Sequence, residues 1–387
     1  MMNDPTAHGD PSHAEIRALF PVCDAHAYLN NAGVAPTSLP VKAAIDRFLD
    51  DLIAHGLHDE VGWEGEAARV RDGCARLVGA EAAEIALVRN TSHGLGLVAE
   101  GLPWEAGDEV AICSAVEYPS NVYVWQHLAS RGVRLRPVSP VGDGVTAEAV
   151  ARALTPRTRL VSVSAVQFAS GHRTDLAALG ALCRERGVWL CVDGIQQVGV
   201  HPLDVKALGV HFLSADSHKW MLGLPGIGFL YVDAALLPQL RPVLVGWKST
   251  TDPWNFDRCH FELRSDATKF EEGSPAYPLI YGLGAAVDLL HRVGVGRIAA
   301  HVATLLAAAE TMFTGAGWST NPNPTARAGI LMAAPPAGVD LQAVASACAA
   351  AGVTVSVRRG RLRISPHIYN HAEDIAKLAE VVTRVGQ

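Results

Sequence analysis

The sequence predicts an α/β fold, a mainly parallel sheet packed between helices with a smaller C-terminal unit after it. Three observations predict this. From about Tyr28 to Val232, strand-like and helix-like segments alternate. The strand-like runs are near-continuously apolar, as expected of parallel strands covered on both faces. After about residue 235 that rhythm stops: a Pro- and Trp-bearing loop (242–276) leads to a long helix over roughly 278–292, then to helices and short strands.

Taken in order, Trp63, Ala67, Val70, Cys74 and Leu77 recur at spacings of three and four, one face of a helix. IALVRN (85–90) reads as a strand, and TSHGLGLVAEGL opens a helix with Thr91 or Ser92 near its N-cap. EVAIC (109–113) is a strand and NVYVWQHLASRG a helix ending at Gly132. RLVSVSAV (159–166) is a strand, and DLAALGALCRERG a helix with Gly187 past its end. VWLCVD (188–193) and VHFLSAD (210–216) are buried strands. In the C-terminal unit NPNPTARAG (321–329) and APPAGVD (334–340) are loops, and DLQAVASACAAAG is a helix in which Cys348 is a packing residue. The division expected is an N-terminal segment (1–25) packing on the small domain, a large domain (26–275) and a small C-terminal domain (276–387).

At 387 residues and 49% hydrophobic, the chain buries a large core. A net charge of −7 with scattered basic residues excludes an electrostatic nucleic-acid binder. No apolar run reaches the roughly 18 residues of a membrane span. The N-terminus lacks the basic head and apolar middle of a signal peptide. The seven Cys form no CxxC pair, the usage of reduced thiols in a cytoplasmic protein without a structural metal. A dinucleotide-binding dehydrogenase would need GxGxxG after its first strand, which is absent.

The chemistry concentrates at two strand ends. Asp193 closes VWLCVD, and Lys219 follows VHFLSAD by three residues, each before Gly-containing turns. In open α/β sheets such ends face the crevice where ligands bind. A cofactor with a cationic ring nitrogen at one end and an aldehyde at the other uses both groups, which describes pyridoxal 5'-phosphate. Desolvation makes a buried amine a nucleophile toward an aldehyde, and a charge-assisted hydrogen bond from Asp193 keeps the ring nitrogen protonated. Gln196, one turn on, is placed to bond the ring's phenolic oxygen. Asn90-Thr91-Ser92-His93-Gly94, directly after a strand, supplies N–H donors and hydroxyls for a phosphate, and His218 adds a donor. Ser274 in FEEGSPAY is another hydroxyl. Tyr118 in VEYPSN is placed to stack on the ring, and Arg363 in RLRISPHIYN to fork a substrate carboxylate.

With these residues the chain resembles the class V aminotransferase family of fold-type I pyridoxal-phosphate enzymes, which includes cysteine desulfurases and isopenicillin N epimerase-like proteins. The resemblance runs from YLNNAG (28–33) to RLRISPHIYNHAEDIAKL (361–378), and VDGIQQVG…SADSHKW…GIGFLYV is its most specific block. It implies a large domain with a mainly parallel seven-stranded sheet. It implies Lys219 as Schiff-base lysine, Asp193 as pyridinium partner and Gln196 as phenolate contact. Thr91, the Ser92 backbone and His218 would form the phosphate site, with Ser274 donated by the second subunit of a homodimer that shares its active sites. Arg363 would be the carboxylate clamp.

Three departures separate the chain from cysteine desulfurases. GVTVSVRRGRLRIS runs straight through where they carry a nucleophilic Cys, Tyr118 stands where they stack a His, and Phe168 stands where they have an Asn. The expected activity is therefore that of an aminotransferase or C–S lyase acting on an amino acid. An epimerase is the alternative, a desulfurase comes after it, and a catalytically silent relic is the non-enzyme reading. The loop 243–262, with Trp247, Trp254 and Phe256, is expected to shape the substrate pocket.

Overall fold

The computed structural model describes residues 11–321 and 327–385. The first ten residues of the expected N-terminal segment and positions 322–326 of the expected NPNPTARAG loop lie outside them. A seven-stranded sheet forms the centre, in the spatial order Ile85–Val88, Gly228–Val232, Phe212–Asp216, Trp189–Asp193, Thr158–Ser164, Glu109–Ile112, Arg134–Pro137. Every neighbouring pair is parallel except those made by Gly228–Val232, which runs opposite to both its neighbours. The mainly parallel expectation holds, with one reversed strand that apolar runs alone do not distinguish. Ile85–Val88, Phe212–Asp216 and Gly228–Val232 are buried along their whole length, hence their continuous apolar character.

Register sets the working edge of the sheet. Ser164 pairs with Asp193, and Asp193 with Ser214, so adjacent strands end level. The helix Thr91–Gly101 starts at this edge. Its cap is Asn90, one residue before the Thr91 or Ser92 expected, because Asn90 is extended and its side chain accepts from the His93 N–H at 2.8 Å. Gly94 lets this helix lie close to the sheet, since a Cβ there would come within 2.2 Å of Ser214 Oγ.

The C-terminal unit is an antiparallel four-stranded sheet in the order Ser356–Arg358, Arg361–Ile364, Leu331–Ala334, Ser319–Thr320. The chain's first strand, Ala27–Tyr28, pairs with Val353–Thr354, and the helix His13–Ala18 is tied down by Arg17 and Asp374 at 2.8 Å. The helix Tyr277–Val293 packs on Leu39–His55 and Glu60–Val78. Among the described residues one helix, Val295–Gly315, is long and apolar enough to cross a membrane by length and composition, although Arg297, His301 and Glu310 interrupt its apolar run. Its stripe of Ile298, Val302, Leu305, Leu306, Ala309 and Phe313 is buried in the main core.

His367 fastens the two units. It is fully buried, its Nδ1 accepts from the Ile368 N–H at 2.7 Å, and its Nε2 lies 3.1 Å from the Trp220 carbonyl, so the neutral Nε2–H form satisfies both contacts. Burial pushes its pKa down to about 3. A proton therefore binds the unfolded chain more tightly than the folded one. The stability this group contributes is complete above the unfolded value of about 6.5 and is lost as pH falls toward 3, on the order of 4 kcal/mol at the acid end. Denaturant titrations at pH 7, 5 and 4 should show this loss, and His367→Gln should flatten the slope. An equally steep loss in the variant would refute the assignment.

Candidate active site

A cleft of about 200 Å³ opens at the carboxyl edge of the sheet. Asp193, Lys219, Thr91, Ser92, Tyr118 and His218 all line it, as expected from the sequence, and Asn90, Ser120 and Asp216 complete the wall. Asp193 is the last residue of its strand and is buried. Its Oδ1 accepts from the Ile195 N–H at 3.0 Å. Desolvation, with a smaller push from the Glu117 charge, raises its carboxyl to about 7 against the pull of that hydrogen bond and of Lys219. Desolvation likewise lowers the Lys219 ammonium to about 8, Asp193 opposing the shift. A buried acid and a half-buried amine are thus both held near neutrality, the condition under which protons move readily.

One end of the cleft is built for an anion. Asn90 caps only the third helical residue, so the leading N–H groups of Thr91 and Ser92 stay at the cleft. Thr91 Oγ1 accepts from the Asp216 N–H at 3.0 Å, locking the helix start to the strand that leads to Lys219. Ser92 Oγ bonds Ser120 Oγ at 2.8 Å. His218 Nδ1 and Asp216 Oδ1 lie 3.0 Å apart without the alignment of a hydrogen bond, and both are buried without another partner among the described residues. The orphaned His218 Nδ1, with the free N–H groups of the helix start, fits a phosphate-bearing cofactor whose other end reaches Asp193 and Lys219. Asp216 was legible only as the end of an apolar run.

The mouth is aromatic and cationic. Lys219 Nζ lies 5.7 Å from the Tyr118 ring centroid, and Tyr118 meets Phe168 edge-on at 5.1 Å. Arg363 is buried and donates to Ser356 Oγ, the Phe168 carbonyl and Asn30 Oδ1 at 3.1, 3.1 and 3.3 Å. Among the described residues no carboxylate pairs with it. Burial lowers its pKa to about 10, the mark of a guanidinium short of an anion. Glu117, beside Tyr118 and overlooked in the sequence, is a buried hub. It accepts from Asn121 Nδ2, the Ser164 N–H and Gln167 Nε2 at 2.8–2.9 Å, and from the Ser164 hydroxyl.

Other expected residues do not line the cleft, Arg363 among them. Gln196 is buried behind the cleft and does not line it. Its Nε2 donates to the Ala32 carbonyl at 3.2 Å and its Oε1 accepts from the Trp220 indole at 2.7 Å, which braces it behind Lys219. Ser274 lines a separate cavity of about 300 Å³ with His93 and Glu272. Of the loop aromatics, Trp247 meets Trp254 and Phe256 at 4.9 and 6.0 Å, and none of the three lines the cleft within this chain.

Comparison with known proteins agrees with this geometry. The family model for aminotransferase class-V matches residues 27–378. The chain is 30% identical to the uncharacterized aminotransferase YcbU of Bacillus subtilis over 93% of this chain and 95% of that one. It is 34% identical to a cysteine desulfurase of Klebsiella pneumoniae over 75% of each. Among solved structures, the apo cysteine desulfurase of Thermococcus onnurineus NA1 superposes with a TM-score of 0.88 at 25% identity, covering 98% of each chain.

Proposed function

The chain belongs to the class V aminotransferase family and is a pyridoxal-phosphate-dependent enzyme of the aminotransferase or C–S lyase type; from that premise we propose that Lys219 carries the cofactor and moves the substrate Cα proton, while Arg363 holds the α-carboxylate. The observation that carries this reading is one cleft that brings the half-buried Lys219 amine and the buried Asp193 acid beside a helix start whose first two N–H groups the Asn90 cap leaves free. When bound, pyridoxal phosphate supplies an electron-accepting ring conjugated to the substrate's Cα.

The rest is the work of this chain's side chains. Thr91, Ser92 and His218 would hold the phosphate, and Asp193 the ring nitrogen, whose positive charge would keep its carboxylate ionised despite burial. Tyr118 would cover the ring. Lys219 Nζ, lowered to about 8, is neutral often enough near pH 7.5 to accept a proton from Cα and basic enough to return one. Arg363, buried without an anion, would take the substrate carboxylate bidentately and fix the Cα–H bond relative to Lys219. Ser274, outside its own chain's cleft, supports a homodimer in which it completes the partner's phosphate site. Supplying single amino acids with a keto-acid acceptor, and assaying keto acid, sulfide and inverted product, separates transaminase, lyase and epimerase outcomes. No turnover of any amino acid by cofactor-loaded protein would overturn the proposal.

The hairpin Ser356–Arg358/Arg361–Ile364 turns in two residues and carries no Cys, and six of the seven thiols are buried. This favours transaminase or lyase chemistry over persulfide formation on an enzyme thiol. Arg363→Gln should raise KM roughly tenfold to a hundredfold with a smaller fall in kcat, since a charge-assisted fork contributes about 1.5–3 kcal/mol. Unchanged KM would remove Arg363 from the carboxylate site.

A further inference from the structure

The C-terminal hairpin carries a cluster of arginines, Arg358, Arg359, Arg361 and Arg363, of which Arg363 reaches the Phe168 carbonyl beside Tyr118. Its turn residues Arg359 and Gly360 both have positive φ, 49° and 70°, as a two-residue type I′ turn requires. The turn is clamped: Arg359 Nη2 donates to the Ala115 carbonyl at 2.9 Å, and its guanidinium lies 5.7 Å from the Phe168 ring centroid. This fastens the hairpin to the loop that leads into Tyr118.

Pairing sets Ser356 opposite Arg363 and Arg358 opposite Arg361, so these four residues share one face of the hairpin. Arg363 on that face donates to the carbonyl of Phe168, whose ring meets the Tyr118 beneath Lys219. Three like charges on so short a face repel unless anions intervene. Arg361 has one, Asp143 at 3.0 Å. Arg358 has none among the described residues; it is exposed and bonds only its neighbour's carbonyl, Val357 O, at 2.8 Å. Its charge reaches both Arg363 and Lys219 and lowers the proton affinity of each.

We propose that Arg358 is a second anion-binding residue beside Arg363, and that the preferred substrates are amino acids whose side chain ends in a carboxylate. This rests on the reading that Arg363 holds the α-carboxylate, and deepens it. A neutral amino acid satisfies Arg363 and leaves Arg358 facing two cations. A dicarboxylic one gives each guanidinium its own partner, on a hairpin whose turn is already fixed, so little ordering cost is incurred on binding.

The test is calorimetric binding of glutarate and butyrate to the cofactor-loaded protein, alongside kcat/KM for glutamate and aspartate against norvaline and alanine. The parent should bind glutarate at least about tenfold more tightly than butyrate and show a similar preference in kcat/KM. R358Q should collapse both ratios toward one, R358K should restore part of them, and R363Q should weaken glutarate and butyrate together. A general loss of structure in R358Q would lower both members of each pair and leave the ratios unmoved, which would overturn the proposal, as would a parent with no acidic preference. If no amino acid turns over yet the glutarate preference exists and depends on Arg358, the catalytic reading fails and the anion site stands. If neutral amino acids turn over as well as acidic ones, the anion site fails and the catalytic reading stands.

Discussion

Lys219→Ala is expected to lower turnover of every amino acid substrate by roughly 10³-fold or more, because it removes both the covalent anchor of the cofactor and the base at Cα. The variant should fold at least as well as the parent. Lys219 is a largely desolvated amine whose pKa is driven down to about 8, so its charge is unfavourable in place and truncation relieves that cost. The expected pattern is therefore lost activity with retained or raised thermal stability. Borohydride reduction of the parent followed by peptide mass spectrometry should find the pyridoxyl adduct on Lys219 and on no other lysine. An adduct elsewhere, or a variant working at the parent rate, would refute the assignment.

Asp193→Asn is the second large effect. The amide keeps the shape of the carboxylate and the oxygen that accepts from Ile195, but it has no charge with which to hold a protonated ring nitrogen. Turnover should fall by about 10²–10³-fold, the cost of removing one preorganised charge contact from a dry site. The same change should stabilise the cofactor-free protein above neutrality, and the sign follows from linkage. Burial raises the folded-state carboxyl to about 7, above its unfolded value of about 3.9. The stability that this proton brings is fully present below about pH 4 and is lost as pH rises through 7. Asn carries no such proton, so denaturant midpoints of parent and variant should converge at pH 4 and separate by a few kcal/mol at pH 8, the variant being higher. Parallel curves across that range, or full activity in the variant, would show that Asp193 is not the buried acid of the site.

The legible parts of this protein are those whose physics is local. A run such as VWLCVD is apolar throughout because both faces of its strand are covered, and a charged residue ending such a run must stand at the sheet edge. Lys219 and Asp193 could therefore be found before any contact was known. The positions that escaped notice depend on partners far away in the chain. Glu117 reads as an ordinary acid, and its burial follows from Ser164 and Gln167 about fifty residues on. Asp216 gains meaning only through Thr91, far back in the chain, whose hydroxyl accepts from its N–H. Gln196 carries the spacing of a cofactor contact, yet Trp220 and Ala32 take both ends of its carboxamide. In the helix Val295–Gly315 a few polar residues break the apolar run without breaking the buried face. Short-range chemistry reports which groups are present, and three-dimensional closure decides which of them are already engaged.

The reversed strand Gly228–Val232 has a geometric consequence. Lying between Ile85–Val88 and Phe212–Asp216, it turns the outermost strand so that this strand also delivers its chain to the reactive side. Thr91 thereby meets the end of the strand that leads to Lys219, its Oγ1 accepting from the Asp216 N–H at 3.0 Å, although more than a hundred residues of polypeptide intervene. Backbone ladders, not connector lengths, dictate how far apart the anchoring and proton-handling groups stand. Exposed connections that touch none of these groups are free to grow or shrink over generations without detuning the machinery between them.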